Sequence, residues 1–188
     1  MSQPNSDNGE PAAKKIKIEP NQDKTLEMKD GKGTKIFDNG NIYKGNFKNG
    51  YFNGYGVYIW KDGTVYEGDW KDGKRHGKGK KIFVNGNFYE GDFKDGNFNG
   101  KGVYKWADGA VYEGEFNDNN SHGKGKYIYK NGDVYEGEWK DDKRHGKGIY
   151  KWKGGDFFEG EWRNNTKYNG RLYKLEHLLS EGNIFKPC

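Results

Sequence analysis

Tyr135-Glu136-Gly137-Glu138-Trp139-Lys140-Asp141-Asp142-Lys143-Arg144-His145-Gly146-Lys147-Gly148 places a ring, a glycine and a second ring at every other position, then turn formers, then two spaced glycines. A spacing of two sets Tyr135, Gly137 and Trp139 on one face of a β-strand and Glu136 and Glu138 on the other. Such alternation on either side of Asp141-Asp142 predicts a hairpin with one buried and one wet face. The same order recurs outward from this stretch. Tyr43, Tyr66, Tyr89, Tyr112 and Tyr135 start units of 23 residues, so five complete units run from residue 43 to residue 157. Half a unit, from about Gly31 to Ile42, precedes them, and a degenerate sixth starts at Phe158. Its Asn169-Gly170 falls one residue late, which predicts an insertion in the last turn.

Comparing the units shows what each position requires. The third residue is always glycine (45, 68, 91, 114, 137) and the fifth always a ring: Phe47, Trp70, Phe93, Phe116, Trp139. In the second half, Gly100, Gly102, Tyr104 and Trp106 keep the spacing of two, as do Gly146, Gly148, Tyr150 and Trp152. Asx-Gly pairs such as Asp72-Gly73 and Asn85-Gly86 mark two turns per unit; where the first glycine is missing, Asn119, Asp142 or Asn165 replaces it, residues that tolerate positive φ. Glycines between the rings give a neighbouring ring room to lie across the strand.

Composition agrees only after this order is known. The chain of 188 residues has 31 glycines and 31 aromatics but few aliphatics, and its net charge is +5. No apolar run approaches the ~20 residues that cross a bilayer. The single cysteine, Cys188, excludes an internal disulfide or a cysteine zinc site. One hairpin buries too little to fold alone; stacking unit on unit shares the ring face and completes the ladder, which is how a solenoid is stabilised. The expectation is an all-β, single-sheet antiparallel β-hairpin solenoid of about six units, on the order of 60 Å long.

The quoted stretch resembles the MORN repeat family closely, and the likeness covers about residues 31 to 170. That resemblance implies a single-sheet solenoid with a groove, used as a scaffold at membranes, cytoskeletal structures or cilia. It fixes no partner.

The ends differ from the array. Residues 1–29 hold no aromatic residue and read as a disordered tail. Within it, Pro11-Ala12-Ala13-Lys14-Lys15-Ile16-Lys17-Ile18-Glu19 resembles a monopartite nuclear import signal of the Myc type, with Lys14, Lys15 and Lys17 reaching acidic pockets of a receptor. The competing reading is a solvated lysine cluster. Ile16-Lys17-Ile18-Glu19 also fits the short pattern for conjugation of a small ubiquitin-like modifier. After the array, over 171–188, Leu172, Leu175, Leu178 and Leu179 followed by Gly182 predict a short helix capping the open edge. A homodimer through that edge is the alternative.

No catalytic constellation emerges. His76, His122 and His145 share one repeat position with Asn53 and Asn99, which suits a turn residue better than a ligand or base. Glu67, Asp69, Glu90, Asp92, Glu113, Glu115, Glu136 and Glu138 recur with lysines opposite, which predicts cross-strand ion pairing rather than acid catalysis. Neither an enzyme nor a cofactor or metal site is expected. The leading expectation is a non-catalytic scaffold whose ring groove accepts a protein segment, for instance a helix, through Tyr66, Trp70, Tyr89, Phe93, Tyr112, Phe116, Tyr135, Trp139, Trp60, Trp106 and Trp152. The alternative is an anionic phospholipid surface met by Lys74, Arg75, His76, Lys78, Lys80, Lys81, Lys143, Arg144, His145 and Lys147. Nucleic acid fits less well, since basic and aromatic residues fall mostly on opposite faces. An intracellular, cytoplasmic or cytoskeletal location follows, with residues 11–19 as a route to the nucleus.

Overall fold

A computed structural model describes residues 30–176. The first strands are β1 (Gly31–Ile36), β2 (Ile42–Lys48), β3 (Tyr51–Ile59), β4 (Val65–Lys71) and β5 (Lys74–Ile82). They continue as β6 (Phe88–Lys94), β7 (Asn97–Lys105), β8 (Val111–Asn117) and β9 (Asn120–Ile128). The last are β10 (Val134–Lys140), β11 (Lys143–Lys151), β12 (Phe157–Arg163) and β13 (Thr166–Tyr173). All 13 form one antiparallel sheet in chain order, each strand bonded to its sequence neighbours. The expected all-β hairpin solenoid is the fold observed.

Two kinds of turn alternate along the ribbon. Within each unit, Asp72-Gly73 holds φ of 49° and 79°, and in its counterparts both are likewise positive, the type I′ geometry that matches strand twist. Asn119, Asp142 and Asn165 take φ of 71°, 62° and 70° in the glycine's place. Between units, Gly63 donates its N–H to the Trp60 carbonyl at 2.9 Å, and Asp62 accepts from the Thr64 N–H at 2.8 Å. Both turns also tie unit to unit: Gly73 N–H reaches the Phe52 carbonyl at 2.9 Å, and Asn41 accepts from Lys61 N–H at 2.9 Å.

Each hairpin carries a bulge. Gly68 pairs with Gly79 and Trp70 with Arg75, so His76, Gly77 and Lys78 stand opposite Asp69 alone. The Asp69 carboxylate closes the bulge by accepting the Lys78 N–H at 3.2 Å; Asp92, Glu115 and Glu138 do the same for Lys101, Lys124 and Lys147 at 3.0, 3.1 and 3.1 Å. This corrects the expectation of acid rows held by cross-strand lysines. Among these acids only Asp92, to Lys78 at 2.7 Å, and Glu90, to Lys80 at 3.2 Å, form such pairs within the described residues.

The sixth unit departs from expectation as well. Gly170 pairs with Gly160 and Lys167 with Trp162, leaving only Tyr168 and Asn169 opposite Glu161. The hairpin is one residue short rather than one residue long. Leu172 is therefore a strand residue opposite Phe158, not the start of a helix, and Tyr173 stacks on Phe157 with centroids 4.5 Å apart. The chain turns helical at Leu175 and Glu176, where the Asp156 carboxylate accepts the Leu175 N–H at 3.0 Å. Leu178, Leu179 and Gly182 lie outside the described residues, as do Lys14, Lys15 and Lys17.

Candidate functional site: the ring face

Every unit builds its core on one side of the sheet. Tyr43, Tyr66, Tyr89, Tyr112 and Tyr135 are wholly buried. Each lies across the paired glycines of its own hairpin and donates its hydroxyl to the carbonyl three residues on, Tyr66 to Asp69 at 2.9 Å. Burial pushes the Tyr43 hydroxyl up to about 12 and raises the other four in the same direction. The second ring of each unit reaches one unit back: Tyr66 and Phe93 meet edge-on at 4.9 Å, and Trp139 Nε1 donates to the Gly125 carbonyl at 3.0 Å.

The eleven rings named from the sequence thus divide. Tyr66, Trp70, Tyr89, Phe93, Tyr112, Phe116, Tyr135 and Trp139 are buried in the ribbon itself. Trp60, Trp106 and Trp152 are half-buried, each beside a tyrosine: Tyr58–Trp60 at 4.6 Å, Tyr104–Trp106 at 4.5 Å, Tyr150–Trp152 at 5.0 Å. Tyr127–Tyr129 at 4.4 Å fills the same place in the fourth unit, and Lys81 lying 4.3 Å over Phe83 fills it in the second. These tyrosines were missing from the sequence-based site, although their spacing of two from the tryptophans was visible. Tenth in four of the five complete units stands a residue that caps the buried tyrosine, and Ser121 holds that place in the fourth. Phe52 and Phe98 stack on Tyr43 and Tyr89 at 3.8 and 3.7 Å, whereas Arg75 and Arg144 lie 5.8 Å over Tyr66 and Tyr135.

The basic residues do not converge on one patch. Arg75, Lys81 and Arg144 belong to the ring face, paired across the strands with Trp70, Tyr66 and Trp139. Lys78, Lys80 and Lys147 stand on the opposite face, with Lys78 and Lys80 ion-paired. His76 and His145 enter the bulges, and Lys74 and Lys143 flank the type I′ turns. The opposite face holds a long channel of about 1760 Å3, floored by the glycine rows and walled by Glu and Lys from Glu67 to Glu161. It contains none of the ring residues named above.

A single open sheet of hairpins on a 23-residue period, with one ring-bearing and one charged face, defines a β-hairpin repeat scaffold. The chain belongs to the MORN repeat family: that family's model matches residues 28–42, 43–65, 66–88, 89–111, 112–134, 135–157 and 158–167. No curated protein matches the chain. Among solved structures it is similar to the SAS-4 (dCPAP) TCP domain of Drosophila melanogaster in complex with a proline-rich motif of Ana2 (dSTIL). That likeness has 11% identity, covers 85% of this chain and 97% of that one, and has a TM-score of 0.42. The TCP10 domain of Danio rerio CPAP matches at 10% identity, with 70% and 73% of the two chains covered and a TM-score of 0.26. Virginiamycin B lyase of Staphylococcus aureus matches at 18% identity over 75% and 44% of the chains, with a TM-score of 0.20. Likenesses at these scores carry no argument about function.

Proposed function

We propose that this chain is a non-catalytic scaffold that docks a protein segment on the outer rings of the ring face. The observation that carries the reading is the row of half-buried pairs, Tyr58–Trp60, Tyr104–Trp106, Tyr127–Tyr129 and Tyr150–Trp152, in four of the five complete units. No second layer covers that face among the described residues. Half-buried tyrosine and tryptophan are the side chains that most often anchor protein contacts, because they offer large rigid area at small entropic cost. A cytoplasmic or cytoskeletal assembly is the setting such a frame suits.

Proximity labelling in cells, followed by pull-down, tests the reading with Trp106→Ala and Trp152→Ala. These two lack the backbone bond that Trp139 makes to Gly125, so the ribbon survives their loss. Loss of specific partners with an unchanged circular dichroism spectrum is expected. An unchanged partner list from the folded double variant would remove the proposal.

A further inference from the structure

The strands of the ring face carry cations, and the acids nearest to them stand in the turns between units, Asp62 near Lys81 and Asp133 on the hydroxyl of Tyr150 at 2.7 Å. The strand residues include Arg75, Lys81, Arg144 and Lys167, and among the described residues no strand position on that face holds a carboxylate. These four sit over rings instead. Arg75 and Lys81 converge on Trp60 at 5.9 and 5.4 Å, while Arg144 lies 4.5 Å over Trp162 and Lys167 lies 4.2 Å over Trp152. Among the described residues none of the four has a carboxylate within ion-pair distance. Burial, and then the neighbouring Arg75, hold the Lys81 amine down to about 8, so its charge is under-solvated as it stands. Each guanidinium leaves donors over after its bonds to turn carbonyls, Arg75 to Gly96 and Arg144 to Asn165.

The two cation clusters stand apart with rings between them. Arg75 in β5 and Arg144 in β11 are six strand steps apart, about 29 Å at ~4.8 Å per step. Between them the ring face offers only uncharged strand residues, among them Phe98, Tyr104, Ser121 and Tyr127. An α-helix covers that distance in five turns, since 18 residues rise about 27 Å and return the side chains to the same face.

We infer that the ring face selects an amphipathic helix with an apolar middle and acidic residues about 18 positions apart, one acidic end on Arg75 and Lys81 and the other on Arg144 and Lys167. This rests on the proposal that the ring face is the docking face, and adds the chemistry of the partner. Carboxylates arriving there gain charge-assisted bonds from cations already positioned by the rings, so little ordering is left to pay at binding.

Fluorescence anisotropy with synthetic 22-residue helical peptides tests the inference on the full chain. One peptide carries Glu pairs 18 residues apart around a Leu/Ala face; its counterpart carries Lys at the same positions. The acidic peptide is expected to bind at least about tenfold more tightly at low salt, with the advantage shrinking as salt rises. Arg75→Gln with Arg144→Gln should abolish the preference. Because those arginines also cap tyrosines, Lys81→Gln, which stands outside the tenth position of its unit, provides a second variant that leaves the caps in place. Equal affinity for the two peptides, a preference that persists in both variants, or binding by neither peptide overturns the inference. If the preference is absent while Trp106→Ala still weakens both peptides, the docking face stands and only the acidic chemistry fails. If the preference holds but Trp106→Ala and Trp152→Ala change nothing, it is the docking face that fails.

Discussion

The hydroxyl of Tyr66 lies so close over Gly79 that a methyl group on that glycine would sit 2.5 Å from the phenol oxygen. Gly79→Ala therefore forces the buried ring to move, and overpacking of this kind costs about 1–3 kcal/mol. Gly154→Ala, where a methyl group meets nothing within 4 Å, is the control and should stay within about 0.5 kcal/mol. Urea denaturation of both variants checks the contrast. Equal midpoints would show that the ring does not need the bare glycine.

Asp142 does two things in one turn. Its φ of 62° suits the second position of a type I′ turn, and its carboxylate accepts the Ser121 N–H and hydroxyl, both at 2.7 Å, from the preceding unit. Asp142→Gly keeps the turn and loses the tie, so a loss of about 1–2 kcal/mol is expected. Asp142→Ala loses both and should cost about 1 kcal/mol more. A glycine variant as stable as the parent in urea would leave the tie without value.

Alkaline pH should unfold the array in one step. Burial raises the hydroxyls of Tyr43, Tyr66, Tyr89, Tyr112 and Tyr135 above the ordinary tyrosine value, to about 12 for Tyr43. Groups raised on folding stabilise fully below the unfolded value near 10, and that contribution is lost as pH climbs through the folded values. Phenolate absorbance of these five should appear together with loss of the β-sheet signal in circular dichroism. Complete ionisation with the sheet signal intact would contradict the burial.

Acid acts through Asp133. The Lys153 N–H and then the Tyr150 hydroxyl bind its carboxylate, at 2.9 and 2.7 Å, and hold it below the usual carboxylate range. A depressed carboxylate stabilises above the unfolded value near 4, and the benefit disappears as pH falls through the lower folded value. Asn41 and Asn87 fill the same place in other units, so Asp133→Asn should fold and show a shallower loss of stability below about pH 4. Denaturant midpoints measured against pH decide, and an identical slope in parent and variant would rule Asp133 out.

Much of this was legible in the residues. A period of 23, rings two apart and Asx-Gly turns define strand order and facing without further help, because side-chain direction in a strand alternates strictly. The bulge was not legible. The spacing of Gly77 and Gly79 places both on one face of a regular strand, and only the register Trp70 to Arg75 and Gly68 to Gly79 reveals the extra residues opposite Asp69. For the same reason the acids at that position looked like ion-pair partners, and Gly170 looked late when it had taken the place of the pairing glycine two strands earlier. Within the site, Trp70 and Trp106 read alike as rings on one face. Trp70 is buried because it packs back on Tyr43 of the unit before it at 5.4 Å, whereas Trp106 lies beside Tyr104 and Tyr127 at the margin.

The longest-range hydrogen bond described in the sheet, from Asn119 to Asn97, spans 22 residues. Nothing in the array waits for a distant segment. Each hairpin meets its template in the strand made just before it, so the ribbon can lengthen in the order in which a ribosome delivers the chain, and an all-β protein of this design escapes the slow search that non-local strand pairing imposes.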